Sequence, residues 1–346
     1  MNLFENVRNE TFESCQPFFS TIELGLACQF KCHHCYNFDR QDPNSSFLEN
    51  SIREMLSKEE VLDIIKQLAD AGAMQINFTG GEPLLNHHIV EYIQYAKSLA
   101  CFPRLKSNGG LLTKTKSIEL YEAGLDEVDL SLYGYDENSY EAFTGRRDFQ
   151  KVVQGIQNAK EAGIKVFVSL ILHKGNYKKI SEMTNLIQSL GVEFNYSDEI
   201  TDRYDKTKNK NVELGPLEME ELLQGEHREL FEYHSKDTDN FQCSCARNVC
   251  GISYKGDVYP CIGAPIVAGN IRNQKFSQIW EKSPIFEKIR SLGKADFKSC
   301  MDCSVAEFCD RSSGTVYVNT GDYTGCDTRY LENAKLRKKL HKIDNI

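Results

Sequence analysis

The chain has 346 residues, 26% of them charged and 40% hydrophobic, with a formal net charge of −9 at pH 7. This is the balance of a globular protein with one large domain and a smaller companion, and its acidity excludes a phosphate-neutralising surface, so no nucleic-acid partner is expected. No apolar run reaches membrane-spanning length and Met1–Glu13 has none of the marks of a secretory signal, so the expected compartment is the cytoplasm, where thiols stay reduced.

The first two thirds alternate strand and helix. Residues 18–26 (FFSTIELGL) read as a strand. Residues 57–73 read as an amphipathic helix with Ser57 as N-cap, Glu60 three residues on, and Gly72 near its end. Strands follow at 74–79, 102–107, 126–133, 164–172 and 192–197, and helices at 87–100, 114–124, 149–163 and 177–191. Six strands alternating with five helices imply a parallel sheet with right-handed crossovers. The expected fold is therefore α/β, a partial (β/α)6 TIM-like barrel. Residues 201–215 are polar and aperiodic and read as a linker, and 217–234 read as one more helix. From about 240 cysteine, glycine and short strands dominate, with a hairpin turning at Lys255-Gly256-Asp257. The expected division is 1–200 for the barrel, 201–239 for linker and bridging helix, 240–330 for a small cysteine-rich domain, and 331–346 for a helical tail.

Thirteen cysteines in a reduced compartment raise a metal question rather than a disulfide framework. Three stand at 28–35, four at 243–261 and four at 300–326; only Cys15 and Cys101 stand apart. The unusual residues of the barrel all follow strands. Cys28, Cys32 and Cys35 come after the first, Thr79-Gly80-Gly81-Glu82-Pro83 after the second, Ser107-Asn108-Gly109 after the third, and Ser131-Leu132-Tyr133-Gly134 at the fourth. In a parallel α/β barrel all strand C-termini share one face, so the four stretches converge on one mouth. The cysteine spacing would also suit a helix stripe, but Gln29, Lys31, His33 and His34 are polar and a loop is due after a strand. Thiolates select iron–sulfur or zinc; a structural zinc would need a fourth ligand, which His33 or His34 could offer. In TGGEP two glycines let backbone approach a small ligand closely, and Glu82 offers an acceptor.

Cys28-x3-Cys32-x2-Cys35 followed by Tyr36, then TGGEP, resembles the radical S-adenosylmethionine (radical SAM) superfamily, and the likeness runs to about residue 200. The resemblance implies that the three thiolates bind three irons of a 4Fe–4S cluster, the fourth being chelated by S-adenosylmethionine, and that the chain generates a 5′-deoxyadenosyl radical. It further implies that Gly80, Gly81 and Glu82 line the methionine amino group, that Tyr36 lies beside the adenine, that Ser107 and Asn108 sit near the ribose, and that Ser131 lies near the methionine carboxylate, with Arg146 pairing with it.

Cys245-x10-Gly256-x4-Cys261, then Cys300-x2-Cys303-x5-Cys309 and Cys326, with Trp280 between, resembles the SPASM extension of that superfamily. That implies one or two auxiliary 4Fe–4S clusters: Cys300, Cys303, Cys309 and Cys326 for one, and Cys245, Cys250, Cys261 and Cys243 for the other. Relatives commonly have a further cysteine where this chain has Ser312 and Ser313, so the second set either closes with Cys243 or has an open iron.

The resemblance also implies a substrate. Relatives of this kind mainly modify a residue in a peptide or protein, by crosslinking, epimerisation or oxidation. A dehydrogenase or epimerase acting on a sugar, aminocyclitol or tetrapyrrole is the alternative, and a non-catalytic iron–sulfur carrier a third. Only 27 residues precede Cys28, so leader recognition would fall to a separate leader-peptide-binding protein; flavodoxin or ferredoxin is the implied reductant. Cys15 and Cys101 read as small buried hydrophobes, with Cys15 also a candidate hydrogen donor near the mouth, and Tyr133 and Tyr135 as candidates to line it.

Overall fold

The computed structural model describes residues 3–42, 44–207, 210–228 and 241–344. Six parallel strands, β1 (Phe19–Glu23), β2 (Gln75–Thr79), β3 (Phe102–Ser107), β4 (Glu127–Leu132), β5 (Lys165–Ile171) and β6 (Glu193–Ser197), lie side by side in chain order. α1 (Leu3–Glu13) precedes them, and between them run α2 (Phe47–Glu54), α3 (Lys58–Asp70), α4 (Ile89–Ser98), α5 (Lys114–Glu122), α6 (Glu137–Thr144), α7 (Phe149–Glu161) and α8 (Ile180–Leu190). This is the expected α/β partial barrel.

Strand residues alternate between two environments, as period-two geometry requires. Ile22, Ile76, Phe78, Leu105, Val128, Leu130, Val168 and Leu170 are fully buried and share one core with helix residues such as Ile64, Leu68, Val152 and Ile156. The opposite, inner face is polar. On it Arg104 pairs with Glu127, Lys106 with Asp129 at 3.1 Å, and Lys165 with Glu127 at 3.3 Å and Glu193 at 3.4 Å. The three strand cations on this face are thus each matched by a carboxylate.

The Ser57 capping box forms as the sequence predicts: Glu60 N–H donates to Ser57 Oγ at 3.2 Å and Ser57 N–H to Glu60 Oε2 at 2.7 Å, worth about 1 kcal/mol to α3. The hairpin also forms. β7 (Val249–Ile252) and β8 (Asp257–Tyr259) pair antiparallel, and Gly256 supplies the φ of +89° that the turn needs. What the sequence does not reveal is where this hairpin sits. β7 pairs in parallel with β1, Phe19 opposite Val249 through Ile22 opposite Ile252, and β9 (Gly269–Asn270) extends the sheet to nine strands.

Three expectations change. The helix read over 217–234 is α9 (Pro216–Gln224): Gly225, whose N–H bonds back to Leu222 O at 3.2 Å, leaves helical geometry, and 229–234 lie outside the described residues. Helix α6 was not anticipated, because eight residues carry too little periodicity; Asp136 caps it by accepting from Ser139 N–H at 2.7 Å. Part of the expected linker is packed down. Arg203, 6% exposed, donates from Nη2 to His33 O at 3.1 Å, and Tyr204 donates its N–H to Tyr36 O at 2.7 Å and its hydroxyl to Ile262 O. It is a strap from the first cysteine loop to the C-terminal region. The rest of that region carries α10 (Phe276–Lys282), α11 (Pro284–Ser291), α12 (Lys298–Met301), α13 (Ser313–Thr320) and α14 (Thr328–Asp344). Among the described residues no helix is long and apolar enough to cross a membrane.

Candidate functional site

The loop after β1 carries Cys28, Cys32 and Cys35, and it is fixed by its neighbours rather than by regular structure. Lys31 N–H donates to Thr144 O at 2.7 Å and His33 N–H to Phe143 O at 3.1 Å, both at the end of α6. Arg40 donates from Nη2 to Leu26 O and from Nε to Cys35 Sγ, each at 2.9 Å, with its guanidinium 4.6 Å from the Phe38 ring centre. Cys28 Sγ receives Phe30 N–H at 3.4 Å and Asn108 Nδ2 at 3.6 Å. Burial pushes the Cys28 thiol up to about 11 and holds the Cys32 thiol well above its ordinary value, so these sulfurs carry charge only against strong positive charge. His34, stacked on Phe143, is held neutral, burial lowering it to about 3, and the exposed His33 ring lies 3.0 Å from Gln41 Nε2. Among the described residues no three Cys, His, Asp or Glu side chains converge on one ion.

Glu82 clasps three of the four expected stretches together. It is 3% exposed and accepts Asn108 N–H at 2.8 Å, Ser107 Oγ at 2.8 Å and Leu84 N–H at 3.0 Å. Gly81 N–H reaches Gly25 O and Glu82 N–H reaches Ala27 O, both at 2.8 Å. Desolvation nonetheless raises the Glu82 carboxyl to about 7. The Ser107 hydroxyl expected near a ribose is thus engaged with Glu82, while Asn108 reaches both Cys28 and Gln29. Ser131 hydrogen-bonds Tyr133, which is 8% exposed within the aromatic group around Phe143. Arg146 is not drawn in: its side chain is 53% exposed and its nearest partner is Asp148 at 3.7 Å.

Cys15 must be moved from the mouth. It precedes β1, at the strand end opposite the cysteine loop, where its carbonyl receives Trp280 Nε1–H at 2.8 Å; five strand residues separate the ends by roughly 15 Å. Cys15→Ser should leave turnover unchanged, measured as 5′-deoxyadenosine formed. Cys101 is a buried core thiol donating to Ala73 O at 3.3 Å, as anticipated.

The sequence reading missed Glu23. The inner-face residues nearest the strand C-termini include Glu23, Thr79, Ser131 and Ser169, and of these four only Glu23 ionises. It is 2% exposed and accepts Tyr36 Oη–H at 3.0 Å and the Tyr254 N–H. Tyr36 in turn meets Tyr204 edge-on at 5.1 Å. Burial raises Glu23 from 4.5 to about 7. Because the folded value lies above the unfolded one, the neutral acid stabilises the fold below pH 4.5 and this is lost as pH rises through 7. Wild type should lose about 3 kcal/mol over that window relative to Glu23→Gln, read from urea midpoints of both proteins across pH.

In the C-terminal region Cys300, Cys303, Cys309 and Cys326 line one small cavity. Cys243, Cys245 and Cys261 form a second group through side-chain contacts of Cys245 with the other two. Cys250, expected with them, is fully buried on β7, its Sγ 3.2 Å from Ser20 Oγ on β1.

Compared with known proteins, residues 22–210 match the model of the radical SAM superfamily and residues 243–304 that of an iron–sulfur cluster-binding domain, SPASM. The chain belongs to the radical SAM superfamily. Among relatives of this radical SAM protein, the AdoMet-dependent heme synthase of Methanosarcina barkeri is 26% identical over 331 residues, 87% of this chain and 92% of that protein. In fold it is similar to anSMEcpe with bound AdoMet (TM-score 0.69, 15% identity, 95% of this chain and 96% of that one). It is also similar to Streptococcus suis SuiB bound to S-adenosylmethionine (TM-score 0.67, 17% identity, 93% and 80%). Radical SAM and SPASM regions together imply S-adenosylmethionine, a 4Fe–4S cluster and auxiliary clusters. The donor set fits. Cys28, Cys32 and Cys35, with a guanidinium on the Cys35 sulfur and two N–H groups on the Cys28 sulfur, would supply three thiolate ligands to such a cluster and leave its remaining iron to the cosubstrate.

Proposed function

We propose that this radical SAM enzyme abstracts hydrogen from a residue within a peptide or protein and oxidises that residue. The cluster and S-adenosylmethionine, when bound, supply a 5′-deoxyadenosyl radical by one-electron cleavage of the sulfonium. Cys28, Cys32 and Cys35 would hold the cluster, and Gly80, Gly81 and Asn108 would bound the cosubstrate, in a loop arrangement that Glu82 locks. Oxidising the substrate radical after hydrogen loss releases an electron, which an auxiliary iron–sulfur cluster would accept, and a proton, which the Glu23 carboxylate beside Tyr36 would take.

The observation carrying the peptide reading is the inner face. It is polar but internally neutralised, and the β1–β7 pairing continues the sheet to a hairpin that Cys245 precedes and Cys261 follows. An extended chain suits such a surface. The tetrapyrrole reading is favoured by the heme synthase likeness along most of both chains. A propionate-bearing macrocycle, however, needs unpaired cations, and Arg104, Lys106 and Lys165 are already paired. Anaerobic incubation of the reduced enzyme with short peptides encoded beside its gene, and separately with a propionate-bearing tetrapyrrole, decides between them. A peptide mass change with 5′-deoxyadenosine supports the proposal; carbon dioxide released from the tetrapyrrole, with the peptides unchanged, overturns it.

A further inference from the structure

We propose that Arg311 is the built-in counter-ion of the cluster held by Cys300, Cys303, Cys309 and Cys326, and that its free Nε–H donates to a sulfur of that cluster and raises the reduction potential. The inference goes beyond the substrate reading and does not depend on it.

Arg311 lines the same small cavity as the four cysteines. Its other donors fix the guanidinium in place. Nη1 donates to Ser313 Oγ at 2.9 Å, and Nη2 to Tyr323 O at 2.9 Å and Gly325 O at 3.1 Å. The fully buried Phe297 ring has its centre 4.9 Å from the guanidinium carbon. The Nε–H is buried and meets no acceptor. A buried donor without an acceptor is costly, so its place in a sulfur-lined cavity fits a group that brings acceptors of its own.

The charge points the same way. All three acceptors are neutral, and among the described residues no carboxylate pairs with Arg311. Asp310, next to it in the chain, pairs with Arg337. Asp327, in the wall of the cavity, accepts from Asn319 Nδ2 at 2.7 Å and from Arg329 N–H at 2.8 Å. A guanidinium placed in this way lacks an anion. Burial raises the Cys300, Cys309 and Cys326 thiols, and the Arg311 charge opposes that rise at each of them. Arg311 also turns its backbone N–H on Cys309. An empty donor and an uncompensated cation beside four thiols fit a 4Fe–4S core, whose sulfurs accept hydrogen bonds and whose four-thiolate form is a net anion.

Reduction adds one negative charge to that anion. A fixed cation and an N–H on sulfur both favour the more negative form, so both raise the potential. That this helps to take up the electron leaving the substrate radical rests on the oxidation proposed above; the potential itself does not.

The test uses full-length protein carrying Cys32→Ala, so that the auxiliary signals stand alone. They are followed by electron paramagnetic resonance against applied potential, without oxygen and without substrate. The signal lost on Cys300→Ala marks the cluster in question; if no signal responds to Cys300→Ala, no cluster is held there and the proposal fails. Arg311→Met should keep that cluster's iron and lower its midpoint, shifting the oxidised-to-reduced ratio at the parent midpoint about tenfold, or about 59 mV for one electron. Arg311→Lys, which keeps the charge without the Nε–H, should fall between. An unchanged midpoint in Arg311→Met with iron retained would overturn the proposal. So would loss of that cluster's iron from both variants, which would make Arg311 a folding residue. If only Arg311→Met loses iron, Arg311→Lys decides: a lowered midpoint supports the donor role and an unchanged one overturns it. With no substrate present, each outcome is independent of the peptide assay.

Discussion

Gly81→Ala is expected to cut 5′-deoxyadenosine formation roughly a hundred-fold, the loss typical of reacting groups displaced by an ångström. A Cβ at Gly81 would overlap the carbonyl oxygens of Ala27 and Leu26 and stand 2.7 Å from the Ala27 carbonyl carbon. These are backbone atoms, so no side-chain rotation gives relief. The loops after β1 and β2 would have to part, breaking the 2.8 Å bonds from Gly81 to Gly25 and from Glu82 to Ala27 and dragging Glu82 from Asn108 and Ser107. Overpacking of this kind costs about 3 kcal/mol. The measurements are product chromatography on dithionite-reduced protein and a thermal melt. Wild-type activity in Gly81→Ala would show that the two loops are not locked in the way described.

The second large effect is on Cys32→Ala. Cys32 is 9% exposed and its electrostatic neighbours are Cys28, Cys35 and Arg40. Removing one small sulfur from a core costs about 1 kcal/mol, so the fold should survive. Removing one of three ligands leaves two corners of the cubane without protein donors. S-adenosylmethionine cleavage should fall to background and iron content should drop by one cluster, while the auxiliary signals persist. Retained cleavage in this variant would move the radical chemistry away from the loop after β1.

The alternation of six strands and five helices was legible because helices such as α3, α7 and α8 carry a long apolar stripe and strands such as β4 and β5 alternate. The convergence of the cysteine, TGGEP and SNG stretches followed from order alone, since parallel strands put every C-terminus at one end. Glu23 was not legible: a lone acid late in an apolar strand resembles the start of a loop, and only burial on the inner face reveals it. Arg40 was missed because its partners are a sulfur five residues back and a carbonyl fourteen back, which no periodicity signals. Cys250 is joined to Cys245 and Cys261 by the family resemblance alone; that its thiol lies against Ser20 on β1 depends on the strand face it occupies, which no motif signals. Arg146 and Cys15 failed for a related reason. A motif fixes where a residue falls along the chain, not which way its side chain turns or which end of a strand it adjoins. The β1–β7 pairing could not be foreseen, because four residues, VCGI, carry too little pattern to name a partner more than two hundred positions away.

That pairing has a consequence for cutting the chain. β1 is an interior strand only because Val249–Ile252 covers its second hydrogen-bonding edge. A fragment ending before residue 240 would bare the peptide groups of Phe19–Ile22, in a segment flanked by aromatic and branched side chains, as a template for strand addition between molecules. Such a fragment should self-associate rather than stay dispersed, so the catalytic half and the auxiliary half are joined as one architectural unit.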